Sequence, residues 1–315
     1  VADGNIGVLR EHASGLRFPE GPVALQDGSL LVVEMARGTL TRIFDSGRLE
    51  VVAHVGGGPN GAAIGPDGRC YVCNNGGVSF RTINGRTLPG FPPAGYEGGW
   101  IDVVDINTGR VERLYETCNG TQLNAPNDLV FDSAGGFWFT DMGKTHQSQR
   151  QRDQGALYYA RANGSRITEA LFPLDGPNGI GLSPDETTLY VAESVTGRLW
   201  AFELAGPGAI RDYSRLPPWQ RGRLHWTPGR YAMLDSLCID DEGFAYVGDI
   251  PYGGISVISP QGQLHGRIPT LDALTTNACF GGEDLRTLYI TLSSTGKVVS
   301  TSSERRGLRL HWSGL

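Results

Sequence analysis

The stretch Asn127-Asp-Leu-Val-Phe-Asp-Ser-Ala-Gly-Gly-Phe-Trp-Phe-Thr-Asp141 decides the fold. A short apolar run, an Asp/Gly turn and a second run rich in aromatics read as a β-hairpin. The pattern recurs at Glu20-Gly-Pro-Val-Ala-Leu-Gln-Asp-Gly, Asn60-Gly-Ala-Ala-Ile-Gly-Pro-Asp-Gly and Asn178-Gly-Ile-Gly-Leu-Ser-Pro-Asp-Glu. It recurs again at Asp235-Ser-Leu-Cys-Ile-Asp-Asp-Glu-Gly and Asn277-Ala-Cys-Phe-Gly-Gly-Glu-Asp-Leu. With the first residue of each copy taken as its lead, glycine stands eight positions on in four copies, at Gly28, Gly68, Gly135 and Gly243. The other two copies lack that glycine and carry a turn one residue longer. Their aromatics, Tyr190 and Tyr289, fall at offset twelve where Tyr71, Trp138 and Tyr246 fall at eleven, so the register holds throughout.

The leads are 40, 67, 51, 57 and 42 residues apart, the period of four-stranded blades with insertions. Two further strands follow each hairpin, for example residues 100–106 and 110–116 in the second unit. The expected fold is therefore all-β: a six-bladed β-propeller with four-stranded blades around a central channel. It forms one domain over residues 1–315, with blade leads at 20, 60, 127, 178, 235 and 277. A strand near residues 7–10 is expected to pair with the last blade and close the ring.

Composition agrees. Among 315 residues 46 are glycine, about twice the usual share of roughly 7%. That excess disfavours long helices, where glycine costs about 1 kcal/mol relative to alanine. No apolar run approaches the roughly 18 residues of a membrane helix. A net charge of -6 offers no basic stripe for nucleic acid. The expected partner is a small-molecule substrate, with no nucleic acid and no membrane, on a monomer or small homo-oligomer. Five cysteines are too few and too odd for a disulfide framework. With neither a basic nor an apolar segment at the start, they point to a reducing, cytoplasmic setting.

The lead column carries the chemistry. Glu20, Asn60, Asn127, Asn178, Asp235 and Asn277 are all carboxylates or carboxamides. The first strand of each propeller blade lines the axis, so these leads form a ring at one end of the channel. Such a ring offers oxygen alone, the preference of hard cations. One divalent cation is expected, Ca²⁺ first, with Mg²⁺, Mn²⁺, Zn²⁺ and Fe²⁺ as alternatives. A second ring, Glu34, Asn74, Asp141, Glu193 and Asp249, sits where the next strand returns to the same level, and Leu292 breaks it in the sixth unit. Its members are expected to orient the leads by hydrogen bonds.

Loops from the second to the third strand lie over the ring. Two are long, 76–99 and 142–155, the latter with His146. Connections from a fourth strand to the next blade lie at the same face, and the longest, 216–234, carries Trp219, His225, Trp226 and Tyr231. Long loops at one face build substrate pockets, which makes Asn60, Asn127, Asn277, His146 and Trp226 candidate substrate contacts. Two weaker signals remain. Cys70-x-x-Cys73 has no second pair. Gly143-Lys144-Thr145 copies the end of a phosphate loop whose earlier glycine would be Trp138.

The segments Phe18-Pro-Glu20-Gly-Pro, Leu123-Asn-Ala-Pro-Asn127-Asp, Trp138-Phe-Thr-Asp141, Gly176-Pro-Asn178-Gly-Ile-Gly-Leu-Ser and Thr276-Asn277-Ala-Cys-Phe-Gly-Gly resemble the senescence marker protein/gluconolactonase/luciferin-regenerating enzyme family. The resemblance runs from about Phe18 to Ile290 and is nearest to the bacterial gluconolactonases. Diisopropyl fluorophosphatase looks similar at the same leads. The resemblance implies Glu20, Asn178 and Asp235 as metal ligands, Asn127 as a fourth ligand or substrate contact, and Asp235 as the catalytic carboxylate. Ser236 replaces the family's usual glycine, and Met142 replaces the proline common in bacterial gluconolactonases. Ala125 stands where the animal branch has an arginine that contacts sugars.

The expected activity is hydrolysis of a lactone, with the carbonyl polarised by the cation and water activated by Asp235. Two alternatives stay open. One is a phosphotriesterase or arylesterase on the same metal site. The other is a non-catalytic propeller whose ion is structural.

Overall fold

Each of the six hairpins forms the inner pair of strands of one sheet. The structure, a computed structural model, describes residues 8–146, 151–212 and 222–313. The inner strands, blades 1 to 6 in order, are Pro19–Ala24, Pro59–Ile64, Pro126–Phe131, Pro177–Leu182, Met233–Ile239 and Thr275–Gly281. Each packs against the inner strand of the next blade, and the last packs against the first. The result is a six-bladed β-propeller, and no helix occurs among the described residues.

The turn chemistry follows the sequence reading and refines it. Gly28, Gly68, Gly135 and Gly243 all adopt positive φ, between 74° and 86°. In the two copies without glycine the same offset holds Glu186 and Leu285, at φ 54° and 58°. The left-handed position is thus common to all six hairpins, at a cost of roughly 1–2 kcal/mol where the residue is not glycine.

Six hydrophobic clusters hold the ring, one in each wedge between successive blades. Tyr71, Ile101, Phe137 and Phe139 fill the wedge between blades 2 and 3. Trp138, Val191 and Phe202 fill the next. Ala13 and Val298 meet Leu30 and Val32 where blade 6 meets blade 1. Closure is by strand exchange between chain ends: Arg10–Ser14 pairs antiparallel with Lys297–Ser302 as the outer strand of blade 6. The closing strand lies slightly beyond the expected 7–10, and residues 1–7 fall outside the described range.

Blade 4 departs from expectation. Its third strand, Arg198–Gly206, pairs with Arg223–Trp226, and Leu199 lies opposite Trp226. Trp226 is therefore an outer-strand residue, buried among Leu199, Leu234 and Ile258 in the wedge between blades 4 and 5. The expected place on a loop over the ring is thereby corrected to a strand and a hydrophobic wedge. His225 is buried beside it, with Nε2 at 3.1 Å from Ser259 O. Trp219 lies outside the described residues.

The two cysteines of the 70–73 pair sit on one buried strand as free thiols, and burial pushes Cys70 up to about 12. Such thiols are inert. At the hairpin-turn end of the channel, residues 308–313 cross from blade 5 to blade 3. Leu308 N donates to Ile239 O, and Trp312 Nε1 to Asp132 O at 3.1 Å. This segment helps to line a cavity of about 160 Å³ in the channel, with Ile64, Phe131, Leu182, Ile239 and Phe280 on its walls.

Candidate active site

The six leads stand at the opposite end of the channel. In every blade the pairing of the first two strands slips at the lead, as between Glu20 and Val23 or Pro177 and Ile180. These bulges turn the chain at the point where the lead leaves the sheet. Close packing of neighbouring blades explains the glycines that follow: a Cβ on Gly61 would lie 2.6 Å from Asn127 O, and one on Gly179 would lie 2.6 Å from Asp235 O. The structure thus brings all six leads together.

Five leads are buried: Glu20, Asn60, Asn127, Asn178 and Asn277. Asp235 is the exception, enclosed by the fold yet partly open to solvent. Its Oδ1 accepts Ser236 N at 3.1 Å, and Asn178 hydrogen-bonds the same carboxylate. Burial and the Asp128 charge push it up to about 7. Glu20 rises well above the usual range through burial, the Asp235 charge and, less strongly, Asp128. Asp128, directly after a lead, is buried as well and pushed up to about 7. Three enclosed carboxyls therefore share one space, and none of them forms an ion pair with a basic residue among the described residues.

Two lead oxygens have no hydrogen-bond partner at all, Glu20 Oε2 and Asn127 Oδ1. Buried polar atoms are nearly always satisfied, so such orphans call for an explanation. Asn127 turns its Nδ2 to Met142 Sδ at 3.7 Å, which leaves the amide oxygen bare. Asn178 donates from Nδ2 to Ser194 Oγ at 3.0 Å, and its oxygen accepts Ser236 Oγ. Together Glu20, Asn127, Asn178 and Asp235 supply two acids and two amide oxygens, a donor set that fits a hard divalent cation. No group of three or more His, Cys, Asp and Glu side chains suited to a metal occurs among the described residues. The set is mixed acid and amide.

The second ring does something other than expected. Its residues grip the backbone that leads into each inner strand and do not touch the lead side chains. Glu34 accepts Arg17 N at 2.7 Å; Asn74 accepts Gly58 N at 2.9 Å. Asp141 accepts Asn124 N and Ala125 N, both at 2.7 Å, and Glu193 accepts Asp175 N at 2.9 Å. Asp249 instead holds Arg230 and Ser256. In blade 6, where Leu292 breaks the column, Asp272 does the same work by accepting Leu274 N at 2.9 Å. The residues that touch the leads stand one position later: Met142 on Asn127, Ser194 on Asn178, and Ser293, whose Oγ donates to Glu20 Oε1 at 3.3 Å. Successive strand residues face opposite sides, so one position decides which neighbour is reached.

The loops over the mouth are ordered by polar contacts. The 76–99 segment folds into a hairpin, Phe80–Ile83 with Arg86–Pro89. It passes Phe18 of blade 1 and reaches blade 6, where Arg86 Nη1 lies 3.0 Å from Ser294 Oγ. His146 is half-buried, with Nε2 at 2.9 Å from Asp153 Oδ2. That carboxylate also accepts Asn124 Nδ2 and Lys144 N. His146 is thus a clasp within the blade 3 loop, and none of its contacts is to a lead.

The SMP-30/Gluconolactonase/LRE-like region matches residues 18–294. The chain belongs to this family. Within the family it is 26% identical over 302 residues to a gluconolactonase of Zymomonas mobilis, covering 89% of this chain and 78% of that one. A lactonase drp35 of Staphylococcus saprophyticus is 28% identical over 251 residues, covering 79% and 68%. Among solved structures, a regucalcin of Agrobacterium tumefaciens described as calcium-binding superposes with TM-score 0.75 at 19% identity, covering 98% and 100%. A gluconolactonase of Xanthomonas campestris superposes with TM-score 0.73 at 23% identity, covering 93% and 89%. At those identities the structural likeness establishes the propeller.

Proposed function

We propose that this chain hydrolyses a lactone, opening the ring to a hydroxy acid at the lead end of the channel. One observation carries the reading: buried acids and amides converge there with two orphaned oxygens, and one acid, Asp235, is partly open to solvent. The family relatives named as gluconolactonase and lactonase support the same reaction class.

Glu20, Asn127, Asn178 and Asp235 are the residues that would hold a divalent cation, with calcium the first candidate. When bound, such a cation polarises the lactone carbonyl and stabilises the charge that develops on its oxygen. Asp235 is held by Ser236 N and Asn178, so its position is fixed before substrate arrives. It accepts a proton from the attacking water and returns it to the alkoxide that leaves as the ring opens. Asn277 has its Oδ1 occupied by Ala278 N at 2.8 Å, so its amide offers N–H donors to substrate oxygens. Asn60 completes that side of the ring.

The test is a panel of aldonolactones, aromatic lactones, aryl esters and phosphotriesters, assayed after chelation and again after adding back Ca²⁺, Mg²⁺ or Mn²⁺. Turnover of aldonolactones that chelator removes and cation restores is the expected result. Turnover confined to phosphotriesters or aryl esters would move the reaction class. If no substrate is hydrolysed while cation raises the unfolding temperature, the propeller is a binding module with a structural ion.

A further inference from the structure

After Asp141 the blade 3 chain passes Asn127 and turns toward the blade 2 loop. Met142 lies against the Asn127 amide, so Lys144, two residues on, is at most about 7 Å of chain away. Its side chain is folded inward and the residue is only 6% exposed. Nζ donates to Gly77 O at 3.0 Å and to Asn75 Oδ1 at 3.2 Å. It also lies 5.1 Å from the centroid of the Tyr96 ring. Every one of these partners is neutral.

Among the described residues no carboxylate forms an ion pair with Lys144. Asp141 attracts it from a distance, but the Asp141 oxygens are occupied by the N–H groups of Asn124, Ala125 and Gly143. An ammonium has three N–H donors, so two protein acceptors leave one over. Burying a charge without its opposite is costly, and burial pulls Lys144 down to about 7. The cost is placed at the lead end of the channel, where the blade 3 loop meets residues 75–77 that follow the second strand of blade 2.

We propose that Lys144 is the specificity residue of this site, and that its ammonium receives a carboxylate carried by the substrate away from the reacting carbonyl. The preferred substrates are then lactones of dicarboxylic acids, over neutral lactones of the same size. This assignment rests on the lactonase reading for the reaction itself. Neutral acceptors already fill two donors, so the remaining one suits a singly charged oxygen acid. A doubly charged phosphate would ask for more cation than Lys144 supplies.

The experiment compares the five-membered lactone of a hexaric acid with that of the matching hexonic acid. The quantity read is the ratio of kcat/KM for the two, in wild type, Lys144→Met and Asn75→Asp. Lys144→Met keeps the volume and removes the charge. Asn75→Asp places an acid beside the ammonium to compete with the substrate. Wild type should favour the hexaric lactone, and both variants should cut the ratio about 10- to 100-fold, the worth of a hydrogen bond to a charged group.

In wild type the ratio should also fall as pH rises through about 7, while in Lys144→Met it should stay flat. The titratable groups that face the amine are Asp141, at a distance, and Tyr96, whose ring lies beside Nζ. Burial holds the Tyr96 hydroxyl protonated throughout. A wild type indifferent to the carboxylate, or a Lys144→Met ratio equal to wild type, overturns the proposal. If neither lactone is hydrolysed, the reaction class is wrong and Lys144 is judged by calorimetry with the open hexarate. Binding that Lys144→Met loses supports it; equal affinity in both proteins overturns it.

Discussion

Asn178 shows how little separates a proposed ligand from an ordinary buried amide. Its Nδ2 is spent on Ser194, whose hydroxyl in turn donates to Leu234 O at 2.7 Å. That relay determines which end of the amide is oxygen. Ser194→Ala should therefore weaken Ca²⁺ binding about 10- to 100-fold by calorimetry, with little change in the melting of the cation-free protein. Asp235→Asn should abolish lactone turnover while the unfolding temperature stays within a few degrees; near-normal hydrolysis would remove Asp235 from the mechanism. The leads were legible in the sequence because all six share one chemistry at one offset. Their real contacts were harder to see. Ser194, Ser293 and Met142 carry no charge and stand one residue beyond the acidic column that drew attention. Asp128 hid behind a lead, although its position directly after Asn127 was available to the same reading.

Blade 2 illustrates the element scale. Asn74 must present Oδ1 to Gly58 N, and its Nδ2 donates to Asp102 Oδ2 at 3.2 Å, where Trp100 Nε1 also donates at 2.6 Å. Burial pushes Asp102 up to about 6 despite those donors. A carboxyl with a raised folded-state pKa binds its proton more tightly folded than unfolded. Its contribution is therefore favourable at low pH and is lost as pH rises from about 4, the unfolded value, to about 6. Asp102→Asn should flatten that part of the stability profile, measured by urea unfolding between pH 4 and pH 7 on a scale of about 2–3 kcal/mol. The hairpins were read correctly at this scale because turn glycines and aromatics kept register. The outer strand of blade 4 was not. It returns only after an insertion, and Trp226, with no repeat partner to align it, looked like a loop residue. Glu186 and Leu285 explain the two missing turn glycines. Glu186 accepts Ser133 N at 2.9 Å and meets His311 of the C-terminal segment, while Leu285 is buried at 2%.

At the scale of the whole molecule, the ring is held shut by five residues, Arg10–Ser14, against Lys297–Ser302. Removing residues 1–14 leaves blade 6 with an unpaired edge and uncovers Val298 and Val299. The shortened chain should lose its cooperative thermal transition and aggregate on size-exclusion chromatography. Ring closure was anticipated because a propeller needs it, and only the bounds of the strand shifted.

The segment 308–313 has a consequence for traffic. A tunnel open at both ends could take in reactant at one and discharge at the other. Here residues 308–313 lie across one end and narrow it. Reactant and product are then expected to share the lead end, where Asp235 stands, as their doorway. The ring-opened acid and the next lactone then queue for one threshold, and the acid should inhibit in a strictly competitive manner. A channel narrowed in this way also keeps its floor greasy and its rim polar, so a substrate settles with its oxygens uppermost, facing the way it came in.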